Sequence, residues 1–388
     1  MKDLHVSDPA YFSENQCDLD ELKALTAQRL DAADAPLAVE IQKNIPIYDV
    51  QKLNSFVDPA LLGEWAHGLR WGAGILVLRN AYPDTTPIDE ATLIYNQIIE
   101  RETQASGGGA DHFAKAGSNA RIWNSLQKLC MADPGVFARY FGNCAIDAVC
   151  RAWLGPNYQM TAQVNVVRPG GQAQQAHRDY HLGFQTAEIS ATYPAHVHDL
   201  SSVLTLQGGI AHGDTPLESG PTKLLPFSQS YRPGYAAWRR NDFRSYFEEA
   251  QVQIPLQKGD ALFFNPATFH AAGANVSTGI QRMVNLLQVS SAFGRAMETI
   301  DRQAMCIALF PQLQRLSATS TLTPDQIDAA IASCAEGYSF PTNLDRDPPA
   351  GGLAPLTQNA VLHRALADGW NQTKLQNALQ DLAGRQRP

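Results

Sequence analysis

Apolar positions along the chain change their spacing twice. Behind Asp18, a candidate N-cap, Leu19, Leu22, Leu25 and Leu30 recur near helical spacing, and residues 89–101 return to the same period. Between these two helical stretches, residues 74–79 form a short continuous apolar run. Gly72, Gly74 and Pro83 bound it, and it predicts a buried strand. Asp133-Pro134 predicts a helix with Asp at N-cap and Pro at N1. Its apolar face carries Phe137, Tyr140, Phe141, Cys144 and Ala148, and Gly155-Pro156 ends it. Gly107-Gly108-Gly109 reads as a flexible break.

From about Tyr158 to Ser291 the runs become short and are punctuated by Gly and Pro. Residues 159–168, 202–210, 222–225, 252–256, 261–264 and 283–290 all have strand length and strand composition. Helical spacing returns after Phe293. Thr323-Pro324-Asp325-Gln326 has the form of a capping box, and residues 356–382 predict a last helix. The pattern predicts a mainly β core, an antiparallel barrel or sandwich, with helices on both sides. The whole chain, 1–388, reads as a single domain. Its helical part, 1–157, lends an early strand (74–79) to the core, 158–291, and 292–388 is a helical extension.

Composition narrows the class. Lys+Arg number 30 against 38 Asp+Glu, a net charge of -8, with no basic run. That argues against nucleic acid, where neutralising phosphate dominates affinity. No apolar stretch approaches the roughly 18 residues of a membrane span. The start, 1–11, carries no secretory signal, and the six cysteines have no C-x-x-C spacing. A reduced, cytoplasmic protein follows.

The candidate chemistry rests on ten histidines. His177-Arg178-Asp179 places an imidazole and a carboxylate two residues apart, hence on one side of an extended segment. It follows a strand and a Pro169-Gly170-Gly171 turn. His270, 93 residues downstream, follows the turn and apolar run Gly259–Phe264. Two His and one Asp on one face of an octahedron suit non-haem ferrous iron and leave positions open for dioxygen. Arg282 begins the next apolar run and can hold a carboxylate bidentately. His212-Gly213-Asp214 repeats the H-x-D pattern in a predicted loop, where His212 could contact substrate. His196-Val-His198-Asp199 resembles a fragment of a zinc hydrolase motif but lacks its last His. His181 alternates onto the side of the ligands, as a support for Asp179 or as pocket lining. Lys115 and Arg121 could reach a carboxylate. Arg168, Arg178, Lys223, Arg232, Arg239, Arg240 and Arg244 could suit an anionic substrate.

The segment Gly259-Asp-Ala-Leu-Phe-Phe-Asn-Pro-Ala-Thr-Phe-His270, then Asn275-Val-Ser277 and Arg282, resembles the C-terminal signature of the phytanoyl-CoA dioxygenase family. Glu218-Ser219-Gly220-Pro221 through Pro226-Phe-Ser228 resembles its N-G-P-L…P-G-S-H segment. Ser219, Phe227 and Gln229 depart from the Asn, Gly and His there. Gly209 stands where the family often has an aromatic residue. The likeness covers about Gly72 to Ser291. It implies a double-stranded β-helix (the cupin-like jelly roll) with His177, Asp179 and His270 as Fe(II) ligands and Arg282 as the 2-oxoglutarate anchor. It also implies an amide contact to 2-oxoglutarate, for which Gln163 and Asn165 are the candidates. A small-molecule substrate would then be hydroxylated by dioxygen, with release of succinate and carbon dioxide. The presence of Asp179 favours hydroxylation over halogenation. The helical N-terminal segment and the loop 184–200 would be lids that exclude water. The alternative is a metal-binding, cupin-like barrel without oxygenase activity, either a non-oxidative enzyme or a 2-oxoglutarate sensor.

Overall fold

A computed structural model of the chain describes residues 9–106, 119–349 and 351–388. Lys115, the Gly107–Gly109 break and residues 1–8 lie outside them. The described strands, in chain order, are β1 Glu40–Gln42, β2 Ile45–Asp49, β3 Ile75–Arg79, β4 Asn119–Ile122, β5 Gln159–Val167, β6 Thr205–Ala211, β7 Lys223–Leu224, β8 Ala261–Phe264, β9 His270–Ala271 and β10 Arg282–Ser290. The chain divides into two compact units. One ends at Asn80 and resumes over Val166–Met283; the other comprises Ala81–Asn165 and Val284–Pro388. Neither is a contiguous stretch of chain.

In the first unit the strands run β1-β2-β3-β8-β6. The β2–β3 pair is parallel and the rest are antiparallel, with Val77 opposite both Ile47 and Leu262. A short second sheet pairs β7 with β9, and single bridges at His177–His270, Leu224–Val252 and Thr215–Leu256 extend it. Ile47, Val77, Leu262 and Phe264 from the larger sheet share one apolar core with Leu224, Ile254 and Leu256 from the smaller. Two sheets closing over one core is the double-stranded β-helix that the resemblance implied.

The second unit holds β4 and most of β5 and β10, in the order β10-β5-β4, with helices around them. Here the predicted helix from Asp133 proves to be two, Pro134–Phe141 and Cys144–Leu154. Asn143 restarts it, because its side chain accepts from the N–H groups of Ala145 and Ile146. The capping box at Thr323 and Gln326 is formed as expected. The last predicted helix is also split, into Gln358–Ala367 and Gln372–Gln386, at Gly369 with φ 60°.

Two more differences have local causes. Residues 252–256 pair only through isolated bridges, because Pro255 has no N–H to give to a ladder. Strand β2 escaped the sequence pattern because Pro46 interrupts its apolar run. The segment 184–200 is not a plain loop: it contains short helices at Ala187–Ser190 and Ala195–Ser201.

One buried acid joins the strands of the first unit. Asp260, in the turn before β8, accepts from the N–H groups of Asn80 (3.0 Å) and Gln257 (2.7 Å) and pairs with Arg79. Gly259, at φ 91°, makes that turn possible. Replacing Asp260 with Ala leaves three donors without their acceptor. It is expected to cost about 3 kcal/mol, read as a lowered denaturant midpoint at constant slope.

Candidate metal centre

The loop that carries H-x-D is fixed from its middle residue. Arg178 is buried, with its guanidinium over the rings of Phe269 (4.9 Å) and Tyr235 (5.2 Å). Its Nη2 donates to the carbonyls of Ser228 and Tyr231. Ser228 in turn accepts from the N–H of Phe269 at 2.8 Å. Arg178 thus points into the protein while its neighbours His177 and Asp179 turn the other way, as alternation requires.

His177 and His270 face each other through a pair of backbone hydrogen bonds of 3.0 and 3.1 Å, and their ring centroids lie 4.4 Å apart. Each Nδ1 meets the carbonyl two residues earlier, His177 with Gln175 (2.7 Å) and His270 with Thr268 (2.9 Å). An Nδ1–H donated there leaves each Nε2 lone pair free. Both Nε2 atoms lie 3.5 Å from the Asp179 carboxylate, one from each oxygen. The three ligand atoms sit within 4.8 Å of one another, and among the described residues no other such group occurs.

Burial first, and then the neighbouring His270 charge, pull the His177 pKa down. That favours the neutral ring, the form that binds a metal. Burial alone would raise the Asp179 pKa. The charge His177 carries when protonated, the hydrogen bond and charge of His270, and a hydrogen bond from Gln207 outweigh it and lower that pKa, and the Gln207 hydrogen bond favours the ionised carboxyl beside neutral rings as well. Gln207, on β6, donates its amide to Asp179 Oδ2. The sequence reading missed Gln207. The signal was there, since it shares a strand face with Gly209, a position singled out by the resemblance.

Arg282 stands at the start of β10, buried. Its guanidinium Nη1 donates to the carbonyl of Gly273, three residues beyond His270, at 3.5 Å. No carboxylate pairs with it among the described residues. Burial pulls its pKa down to about 10. A desolvated guanidinium without an anion is costly, so this position fits an incoming carboxylate. Asn275 ties down the turn before β10. Its amide donates to the carbonyls of Val167 (2.9 Å) and Ile280 (2.8 Å), and its oxygen accepts from Ser277.

The remaining candidates separate. His212 and Asp214 do not join the triad: Asp214 accepts from the backbone N–H of Lys258 at 3.0 Å. His198 is buried against Phe12 and bonds to the carbonyl of Ser190, and Asp199 pairs with Arg232. No zinc set forms there among the described residues. His181 follows Tyr180 in a pair of positive-φ residues, and its Nε2 is buried without a partner. In the second unit, Gln163 accepts from Arg121 Nη1 at 3.0 Å and its amide nitrogen meets Met297 Sδ. The side-chain oxygen of Asn165 is buried without a partner. Phe227, which replaces the family's Gly, sits at φ 68°, a conformation that favours glycine.

Two imidazole nitrogens and one carboxylate, with no fourth protein ligand among the described residues, fit ferrous iron. No curated protein matches the chain. Among solved structures, it is similar to the non-heme alpha ketoglutarate dependent carbocyclase SnoK from nogalamycin biosynthesis, at 17% identity and TM-score 0.43, over 69% of this chain and 92% of that one. It is also similar to the epimerase SnoN from the same biosynthesis, at 19% identity and TM-score 0.41, over 61% and 84%. A complex of SnoN with Fe3+, alpha ketoglutarate and nogalamycin RO matches at 18% identity and TM-score 0.41, over 61% and 85%. The family model for phytanoyl-CoA dioxygenase matches residues 72–284, more than half of the chain. The chain therefore belongs to the phytanoyl-CoA dioxygenase family, whose members are enzymes that depend on iron and 2-oxoglutarate.

Proposed function

We propose that the protein is an Fe(II)- and 2-oxoglutarate-dependent dioxygenase that hydroxylates a small organic substrate. His177, Asp179 and His270 hold the iron, and Arg282 pairs with the far carboxylate of 2-oxoglutarate. The bound iron and 2-oxoglutarate supply the oxidising chemistry, with succinate and carbon dioxide as co-products. The chain's own work is placement. The carbonyls of Gln175 and Thr268 fix the two imidazoles, Gln207 orients the Asp179 carboxylate, and Arg178 holds the loop between the ligands. The observation that carries the reading is the buried Arg282, without a carboxylate of its own, reaching Gly273 on the chain leading from His270. Six free cysteines support a cytoplasmic setting, and among the described residues no helix is long and apolar enough to cross a membrane.

The test is succinate formation from 2-oxoglutarate. With ferrous iron and oxygen, a slow release of succinate is expected even without substrate, and chelation should stop it. A product that gains one oxygen atom from dioxygen identifies hydroxylation. Iron binding with no iron-dependent succinate release across a substrate panel would leave a cupin-like barrel without oxygenase activity.

A further inference from the structure

Seven basic residues could suit an anionic substrate, and the structure removes four of them. Arg178 is buried and bound to two carbonyls. Lys223 pairs with Glu248, Arg232 with Asp199 and Arg240 with Asp242. Arg239 and Arg244 have no ion pair among the described residues. Both lie against one indole, that of Trp238, with guanidinium carbons 3.8 and 5.9 Å from its ring centre. The same indole stands edge-on to the ring of His177, at 6.4 Å between centroids.

Three donors around this indole are buried and unpartnered: Trp238 Nε1, Arg239 Nη1 and Arg244 Nε. The other guanidinium nitrogen of Arg239, Nη2, caps the carbonyls of Gly183 and Gln185, which fixes the side chain. Burial and then the charge of Arg244 lower the Arg239 pKa, so the two cations repel each other beside the indole. The exposed Glu188 influences Arg239 but forms no ion pair with it. Buried donors are normally satisfied, and two like charges with no anion between them are unfavourable.

We propose that Trp238, Arg239 and Arg244 form an anion subsite beside the metal centre. It would bind the carboxylate, phosphate or sulfate group of the substrate that the enzyme oxidises. The inference rests on the reading of the triad as the reacting centre. It deepens that reading by naming the substrate class: a small molecule with an anionic group near the carbon to be oxidised. Arg282 is reserved for 2-oxoglutarate, so the two anions are read by separate arginines.

The test is calorimetric titration of the full chain at fixed ionic strength, without 2-oxoglutarate. The probes are octanoate, octyl phosphate and octyl sulfate, with octanol as the neutral control. At least one anion is expected to bind on the order of tenfold more tightly than octanol. Arg244→Gln and Trp238→Phe, both conservative changes at half-buried positions, should each weaken that anion about tenfold, while Arg282→Gln should not. The anion preferred identifies the headgroup. Absence of anion binding, equal binding of octanol, indifference to both R244Q and W238F, or loss in R282Q alone would overturn the proposal. Anion binding that R244Q weakens, with no succinate formed from 2-oxoglutarate, would keep the subsite and remove the oxygenase reading. Succinate formation without anion binding would do the reverse.

Discussion

Replacing His177 with Ala is expected to weaken binding of ferrous iron, or of Mn(II) as its stand-in, by more than about 100-fold. Succinate formation should be lost with it. Each of the three donors offers one ligand atom, and among the described residues no fourth His, Cys, Asp or Glu joins the group. Loss of the ring also leaves Asp179 with one histidine neighbour where it had two. The fold should survive, because the His177 side chain is partly exposed and its backbone pairing with His270 does not need the ring. His212→Ala is the matched control and should bind the metal as the parent does. Free Mn(II), followed by its paramagnetic resonance, reads both variants. Loss of binding in H212A with retention in H177A would show that the wrong H-x-D had been chosen.

The second large effect lies at Arg282. Substitution by Met keeps a long side chain and removes a buried charge that has no carboxylate partner. Without ligand, the variant is expected to be as stable as the parent or more so, since a desolvated, unpaired guanidinium costs free energy. With 2-oxoglutarate the order should reverse. The parent gains about 2.7 kcal/mol at a ligand concentration 100 times Kd, and the variant gains little at the same concentration. KM for 2-oxoglutarate should rise on the order of 100-fold, which corresponds to about 2.7 kcal/mol. Thermal unfolding with and without 2-oxoglutarate reads both halves of the prediction. A variant that is destabilised without ligand yet retains the full ligand-induced shift would mean that Arg282 is a structural cation.

Much of the centre was legible in the sequence. The donor types, the two-residue spacing of His177 and Asp179, and a third ligand after a turn and an apolar run can all be read locally. So can the caps at Asp18, Asp133 and Thr323, because a cap is a hydrogen bond to an N–H two or three residues away. Other features needed contacts across long separations. Gln207 meets Asp179 from β6, 28 residues further along the chain, and only its place two residues before Gly209 on the same strand face marks it in the sequence. Arg178, one of seven basic residues open to an anionic substrate, proves to be the residue that fixes the ligand loop. Its partners Ser228 and Tyr231 lie 50 residues or more away. Strand β2 was hidden by Pro46 and forms because β3 accepts it as a parallel neighbour.

By itself, the sequence determined which donors exist, most of the core strands and the capped helix starts, and which family pattern they follow. These depend on side-chain chemistry and on periods of a few residues. Only the tertiary structure decided which of two H-x-D pairs meets a second histidine, and which cations keep a free charge. Lys223, Arg232 and Arg240 find carboxylates, whereas among the described residues Arg282, Arg239 and Arg244 do not. The reason is physical. Whether a charge is available to a ligand depends on what the fold has already placed against it, and the chain's local pattern does not contain that partner.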